Sequence, residues 1–170
     1  MLKLIEAFWK ICLLQLRPQD LPASGFFVGV SFGLYAITNA IGTAITLKPA
    51  TAIALTIVHA ALLLSLTYAV LWAKELTPRL NQTASALAGS DAILTLIALP
   101  VLMWQPEGEN IPPIPTLIFL ALTIWKLAIV GHILRHAMNI HFLMGVILAV
   151  AYMYISINIS RMLFIIPTAS

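Results

Sequence analysis

The stretch LPASGFFVGVSFGLYAITNAIGTAITL, Leu21–Leu47, holds no charged residue. A helix rises 1.5 Å per residue, so about 20 apolar residues cross the ~30 Å hydrocarbon core of a bilayer. This segment exceeds that length, and in lipid its peptide groups can satisfy one another only by coiling. It reads as a transmembrane helix, and the same interval recurs along the chain. Residues 50–73 are uncharged, 83–104 are interrupted by Asp91, 114–134 contain Lys126 and 139–166 contain Arg161. The expected fold is all-α, a polytopic bundle of five spans in one membrane domain over residues 1–170.

Composition supports this. Hydrophobic residues make up 61% of the 170 and charged residues 9%, against roughly 45–50% and 25% in soluble domains. A soluble domain of this length buries about two-thirds of its surface and would leave large apolar patches in water. Proline marks the ends of the segments, because it removes a backbone donor that lipid cannot replace. Pro18, Pro22, Pro49, Pro78, Pro106, Pro112, Pro113, Pro115 and Pro167 fall near proposed ends, and Pro100 alone sits inside a span, where it is expected to free the Leu96 carbonyl.

Residues 1–17 form a separate element. Lys3, Glu6, Lys10 and Arg17 share one helical face, while Leu4, Ile5, Phe8, Trp9, Ile11 and Leu14 cover the rest. Such a helix is too short and too charged to span. It is expected to lie along the membrane surface with its basic stripe toward water and headgroups; docking on a partner is the alternative. Lys3, Glu6 and Lys10 also break up any signal-peptide core. Cys12 is the single cysteine, so an intrachain disulfide is excluded.

The formal charge of +3 is small and scattered, which gives no basis for nucleic-acid binding. It does bear on orientation. Lys3, Lys10, Arg17, Lys74, Arg79 and Arg135 fall on one side of the predicted topology, and Lys48, Glu107 and Glu109 on the other. Retention of Lys and Arg on the cytoplasmic side places the N-terminus inside and the C-terminus outside, in a bacterial inner membrane the periplasm.

Four constellations could carry function. Gly25, Gly29 and Gly33 recur every fourth residue and form a groove on the first span, a helix-packing surface for a neighbour. A matching small-residue face, Ala84, Ser85, Ala88, Gly89 and Ala92, lies on the third span; a second protomer is the other candidate. Asp91 and Lys126 stand about two, and two to three, turns from the inner ends of their spans. Each is too costly in lipid to stay unpaired, so they read as an intramembrane ion pair, with a proton or ion pathway as the alternative. On the outer side Asn39, His59, Asn158 and Arg161 fall at comparable depth, an internal hydrogen-bond cluster or the wall of a polar cavity. His132, His136 and His141 gather at an inner end; the first two are one turn apart and could share a metal, or simply meet headgroups and loop carbonyls.

Enzyme motifs are missing. Ile133 follows His132 where a zincin needs its glutamate base, four histidines are too few for a membrane di-iron site, and His59 has no partner at its own depth for haem. Ser90 is followed by Asp91 rather than by the glycine of an intramembrane serine protease. No cofactor is expected.

The run LRPQDLPAS, Leu16–Ser24, ahead of a glycine-bearing span, with Ala88-Gly89 and the stretch GHILRH of 131–136, resembles a group of uncharacterised proteobacterial inner-membrane proteins. The five-span layout is similar to the Yip1-like family, whose eukaryotic members serve membrane trafficking. The resemblance implies no catalytic residue. Together these features favour a non-enzymatic protein that works by association with the bilayer and with other membrane proteins or a second copy, as an accessory subunit or scaffold. A transporter or ion-conducting protein using Asp91 and Lys126 is the rival.

Overall fold

The computed structural model describes residues 2–104 and 113–164, with side chains described over 4–104 and 113–163. Six α-helices account for nearly all of it: α1 (Leu2–Cys12), α2 (Gly25–Ala44), α3 (Pro49–Trp72), α4 (Leu80–Met103), α5 (Pro113–Met138) and α6 (Phe142–Phe164). The last five are long and apolar enough to cross a membrane, and no strand occurs among the described residues. Pro106, Glu107, Glu109, Pro112, Pro167 and the end of the fifth predicted span lie outside the described residues.

Local chemistry sets the boundaries. Ser24 caps α2 by accepting the Phe27 N–H at 3.2 Å, and proline occupies the first turn of α3, where its missing donor costs nothing. Three helices end on a residue with positive φ, Leu14 (61°), Glu75 (56°) and Asn139 (54°). Each end returns a backbone N–H to a carbonyl five residues back: Gln15 to Lys10, Leu76 to Leu71 and Ile140 to Arg135. This closure satisfies carbonyls that the helix end would otherwise orphan. Pro100 does sit inside a helix, α4.

α4 and α5 run further toward the end of the bundle that carries Lys74, Arg79 and Arg135 than hydropathy indicated, starting at Leu80 and ending at Met138. Asn81, Gln82, Arg135 and His136 are too polar for lipid but continue the helices and bond the chain around them. We call this the basic end.

α4 is the centre of the bundle. Every residue from Thr83 to Ala92 is buried, because small side chains let neighbours approach on all sides. One of those neighbours is α1, whose Phe8, Ile11 and Cys12 are fully buried in the main core, while Ile5, Trp9 and, just past its end, Leu14 stay exposed. The Phe8 ring packs directly on Gly89, with Phe27 tilted beside it at 5.6 Å. Part of the apolar side of α1 finds a recess within its own chain. Glu6 and Lys10, ion-paired at 2.8 Å, stay on the exposed side, and the Lys10 ammonium lowers the Glu6 carboxyl below its usual range.

The segment between α1 and α2 is strapped to the bundle by side chains. Trp125 Nε1 donates to the Cys12 carbonyl at 2.9 Å, His132 bonds the Leu16 carbonyl at 3.2 Å, and Gln82 donates to Gln19 and Leu21 at 3.0 and 2.8 Å. Gln19 donates in turn to the His136 carbonyl, and Arg79 to that of Ala137 at 2.9 Å. These bonds replace the water that loop carbonyls would otherwise need.

Candidate functional site: a cavity around an intramembrane ion pair

Asp91 projects from the middle of α4, about three turns from Leu80. The residue is 7% exposed, and its carboxylate pairs with Lys126 Nζ of α5. Asn39 of α2 donates to the same carboxylate at 3.1 Å and to its own Tyr35 carbonyl at 3.1 Å. A buried carboxylate with a cation on one oxygen and an amide donor on the other has the partners its desolvation demands. Both ions lie deeper than the sequence placed them, since their helices extend at the basic end. Asn39, assigned from sequence to an outer cluster, joins this pair because α2 is the shorter helix at the far end.

The rest of that cluster is distributed. The Ser160 hydroxyl spends its proton on the Ser156 carbonyl at 2.7 Å, so His59 Nε2–H is the donor in their 2.7 Å bond. This bond ties α3 to α6. Asn158 bonds the Tyr154 carbonyl of its own helix at 2.8 Å. Arg161 is exposed and makes no ion pair among the described residues.

A cavity of about 730 Å³ opens between α2, α3, α4, α5 and α6. The Asp91–Lys126 pair, Asn39, His59, Ser160 and Arg161 all line it. A second space of about 290 Å³ lies toward the far end of α2 and α4, and Asn39, Asp91 and Lys126 border both. Lys126 leaves 47% of its side chain accessible. Most of the larger wall is aliphatic, contributed by Leu66, Val70, Leu127, Val130, Leu134 and Leu148. Ser156 Oγ is buried there and meets no hydrogen-bond partner in bonding geometry among the described residues.

The remaining predicted residues fall elsewhere. A Cβ built on Gly25, Gly29 or Gly33 would meet nothing within 4 Å, so this groove is unoccupied. The matching face on α4 instead takes the Phe8 ring of α1 at Gly89. His132 and His136 rings stack edge to face at 4.5 Å, but His132 Nε2 is engaged by the Leu16 carbonyl and His141 is exposed. No group of three candidate metal ligands forms among the described residues.

Two contacts escaped the sequence. At Gly145 a Cβ would run into the Gly131 carbonyl oxygen, and at Gly131 into Val146. Here the backbones of α5 and α6 come into direct contact. Their signal was each glycine standing alone among aliphatic residues, where it weakens a helix by about 1 kcal/mol against alanine. Cys12 was the other: its thiol lies 3.8 Å from the Ser90 carbonyl, one residue from Asp91. Burial pushes that thiol up to about 12, and the Asp91 charge acts in the same direction.

No protein-family model matches the chain, and neither does a curated protein or a solved structure.

Proposed function

We propose that this multi-pass membrane protein holds a small molecule of lipid size inside its bundle, as a carrier or transporter, and performs no chemistry on it. One observation carries the reading: the cavity takes a hydrogen-bonded ion pair, its carboxylate buried at mid-span, into its wall. A purely structural pair gains most from close packing on every side. A pair beside open volume can meet a guest, and 730 Å³ is within the ~300–1,000 Å³ typical of small-molecule sites. The aliphatic wall argues for a guest drawn from the bilayer over a bare ion. Clustering of Lys74, Arg79 and Arg135 at one end supports a cytoplasmic basic end in a bacterial inner membrane.

Leu66→Trp tests this by filling the cavity from α3. Native mass spectrometry of protein extracted from membranes in mild detergent is expected to find a bound small molecule on the natural chain and none on the variant, with helical content equal. Equal retention, or no bound mass on either protein, would contradict the proposal. A second reading, an accessory subunit or scaffold that associates through α2, is favoured by the unoccupied face of Gly25, Gly29 and Gly33.

A further inference from the structure

We infer that the cavity takes an amphiphile with one apolar chain and an anionic headgroup, its head at Arg161 and its chain pointing toward Leu134; this rests on reading the cavity as a binding site. The lining is graded along the bundle axis. At the Arg161 end His59, Ser156 and Ser160 stand among Leu55, Phe119 and Ile157, and Ser156 Oγ is buried with no partner in bonding geometry among the described residues. Toward the basic end the wall becomes Leu66, Val70, Val130, Leu134 and Leu148. Thr67, the polar residue in that half, spends its hydroxyl on the Leu63 carbonyl at 2.6 Å. A site whose free polar groups lie toward one end and whose other end is aliphatic matches a molecule built the same way.

Length and charge narrow the guest. Leu148 and Arg161 both line the cavity from α6, which sets its long dimension at about 20 Å. One lipid leaflet contributes about half of the ~30 Å hydrocarbon core, so a single chain of lipid length fits lengthwise. The lining carries two cations, Lys126 and Arg161, against one anion, Asp91. Lys126 is neutralised by Asp91, which leaves the Arg161 guanidinium for an anion. A carboxylate or phosphate there gains a charge-assisted, two-pronged hydrogen bond.

The test uses the full chain in nanodiscs with single-chain probes of equal length, each bearing a photoreactive diazirine at the chain end. The heads are a carboxylate, a phosphate monoester, an uncharged glycerol ester and a quaternary ammonium. Either anionic probe, or both, should label α5 and α6 near Leu134 and Leu148, and the stronger of the two names the source of the anion. Arg161→Gln should cut anionic labelling roughly tenfold, Arg161→Lys should restore much of it, and the glycerol ester should be unaffected by either change. Leu66→Trp should block every probe. If all four heads label equally and Leu66→Trp blocks them, the cavity is a binding site and the anionic preference is wrong. Chain-end labelling beside Arg161 overturns the orientation, and labelling that Leu66→Trp leaves intact overturns both readings.

Discussion

Two faces of this bundle carry the same kind of pattern and meet opposite fates. On α2, Gly25, Gly29 and Gly33 form a row of the smallest side chains, and nothing lies against them. On α4, Ala84, Ser85, Ala88, Gly89 and Ala92 form another, buried throughout, and the Phe8 ring of α1 packs onto it at Gly89. Spacing does not separate them. The rest of the helix does: α4 is small on every side from Ala84 to Ala92, apart from Leu87 and Asp91, whereas the glycines of α2 share their surface with Phe26 and Ile37, both exposed. In lipid a bulky apolar side chain gains little from being buried in protein. A small residue beside bulky ones can therefore face either way, while a helix small all round is pulled to the centre.

The largest effect should come where a glycine faces backbone. Gly145→Ala drives a methyl into the Gly131 carbonyl, and the relief requires α5 and α6 to part. Overpacking typically costs about 1–3 kcal/mol and this site belongs at the upper limit, about 3 kcal/mol. Unfolding followed by circular dichroism as sodium dodecyl sulfate is titrated into mixed micelles measures it; a loss under about 1 kcal/mol would mean the two helices are not in close contact.

Next is Gly89→Ala, where the obstacle is the Phe8 ring and so can be pushed aside. About 2 kcal/mol is expected, with α1 leaving its recess. Cys12 reports that event, being the only cysteine. Docked, its thiol is raised to about 12 and is protonated at pH 8; released, it returns toward ~8.5, and about a quarter becomes thiolate. Maleimide labelling at pH 8 should be slow in the natural chain and many-fold faster in Gly89→Ala. Phe8→Ala combined with Gly89→Ala should be clearly non-additive in stability. Equal labelling rates would place α1 outside the bundle.

These sites also mark what could be read in advance. Five spans were legible, because length and absence of charge are properties of each segment by itself. Asp91 and Lys126 were recognisable for a similar reason, since an ion in lipid demands a partner wherever it lies. Choice of neighbour was not legible. Phe8 stands on an oily face that suits a membrane surface as well as a recess, and only the position of Gly89 decides between them. Asn39 was given the wrong company because its depth depends on how far α2 and α4 extend past each other. The cavity was legible only in part: Asn39, His59 and Arg161, read as the possible wall of a polar cavity, do line it, but its volume is what five helices leave unfilled and no residue encodes that alone.

The smallest effect has the opposite sign. Gly29→Ala adds a methyl with no atom within 4 Å of its site, and alanine favours the helix over glycine by up to about 1 kcal/mol. A gain of about 0.5 kcal/mol is expected at low protein-to-detergent ratio, measured by the same titration. The sign is what matters. If α2 faces lipid, the gain persists as the protein is concentrated, and Gly29→Leu is tolerated equally well. If a partner or a second copy closes on the groove, the added bulk separates two backbones. The gain then reverses with concentration, and Gly29→Leu abolishes energy transfer between labelled copies or the recovery of a partner. A loss of stability in the dilute monomer would contradict the open groove itself and, with it, the contrast between the two faces.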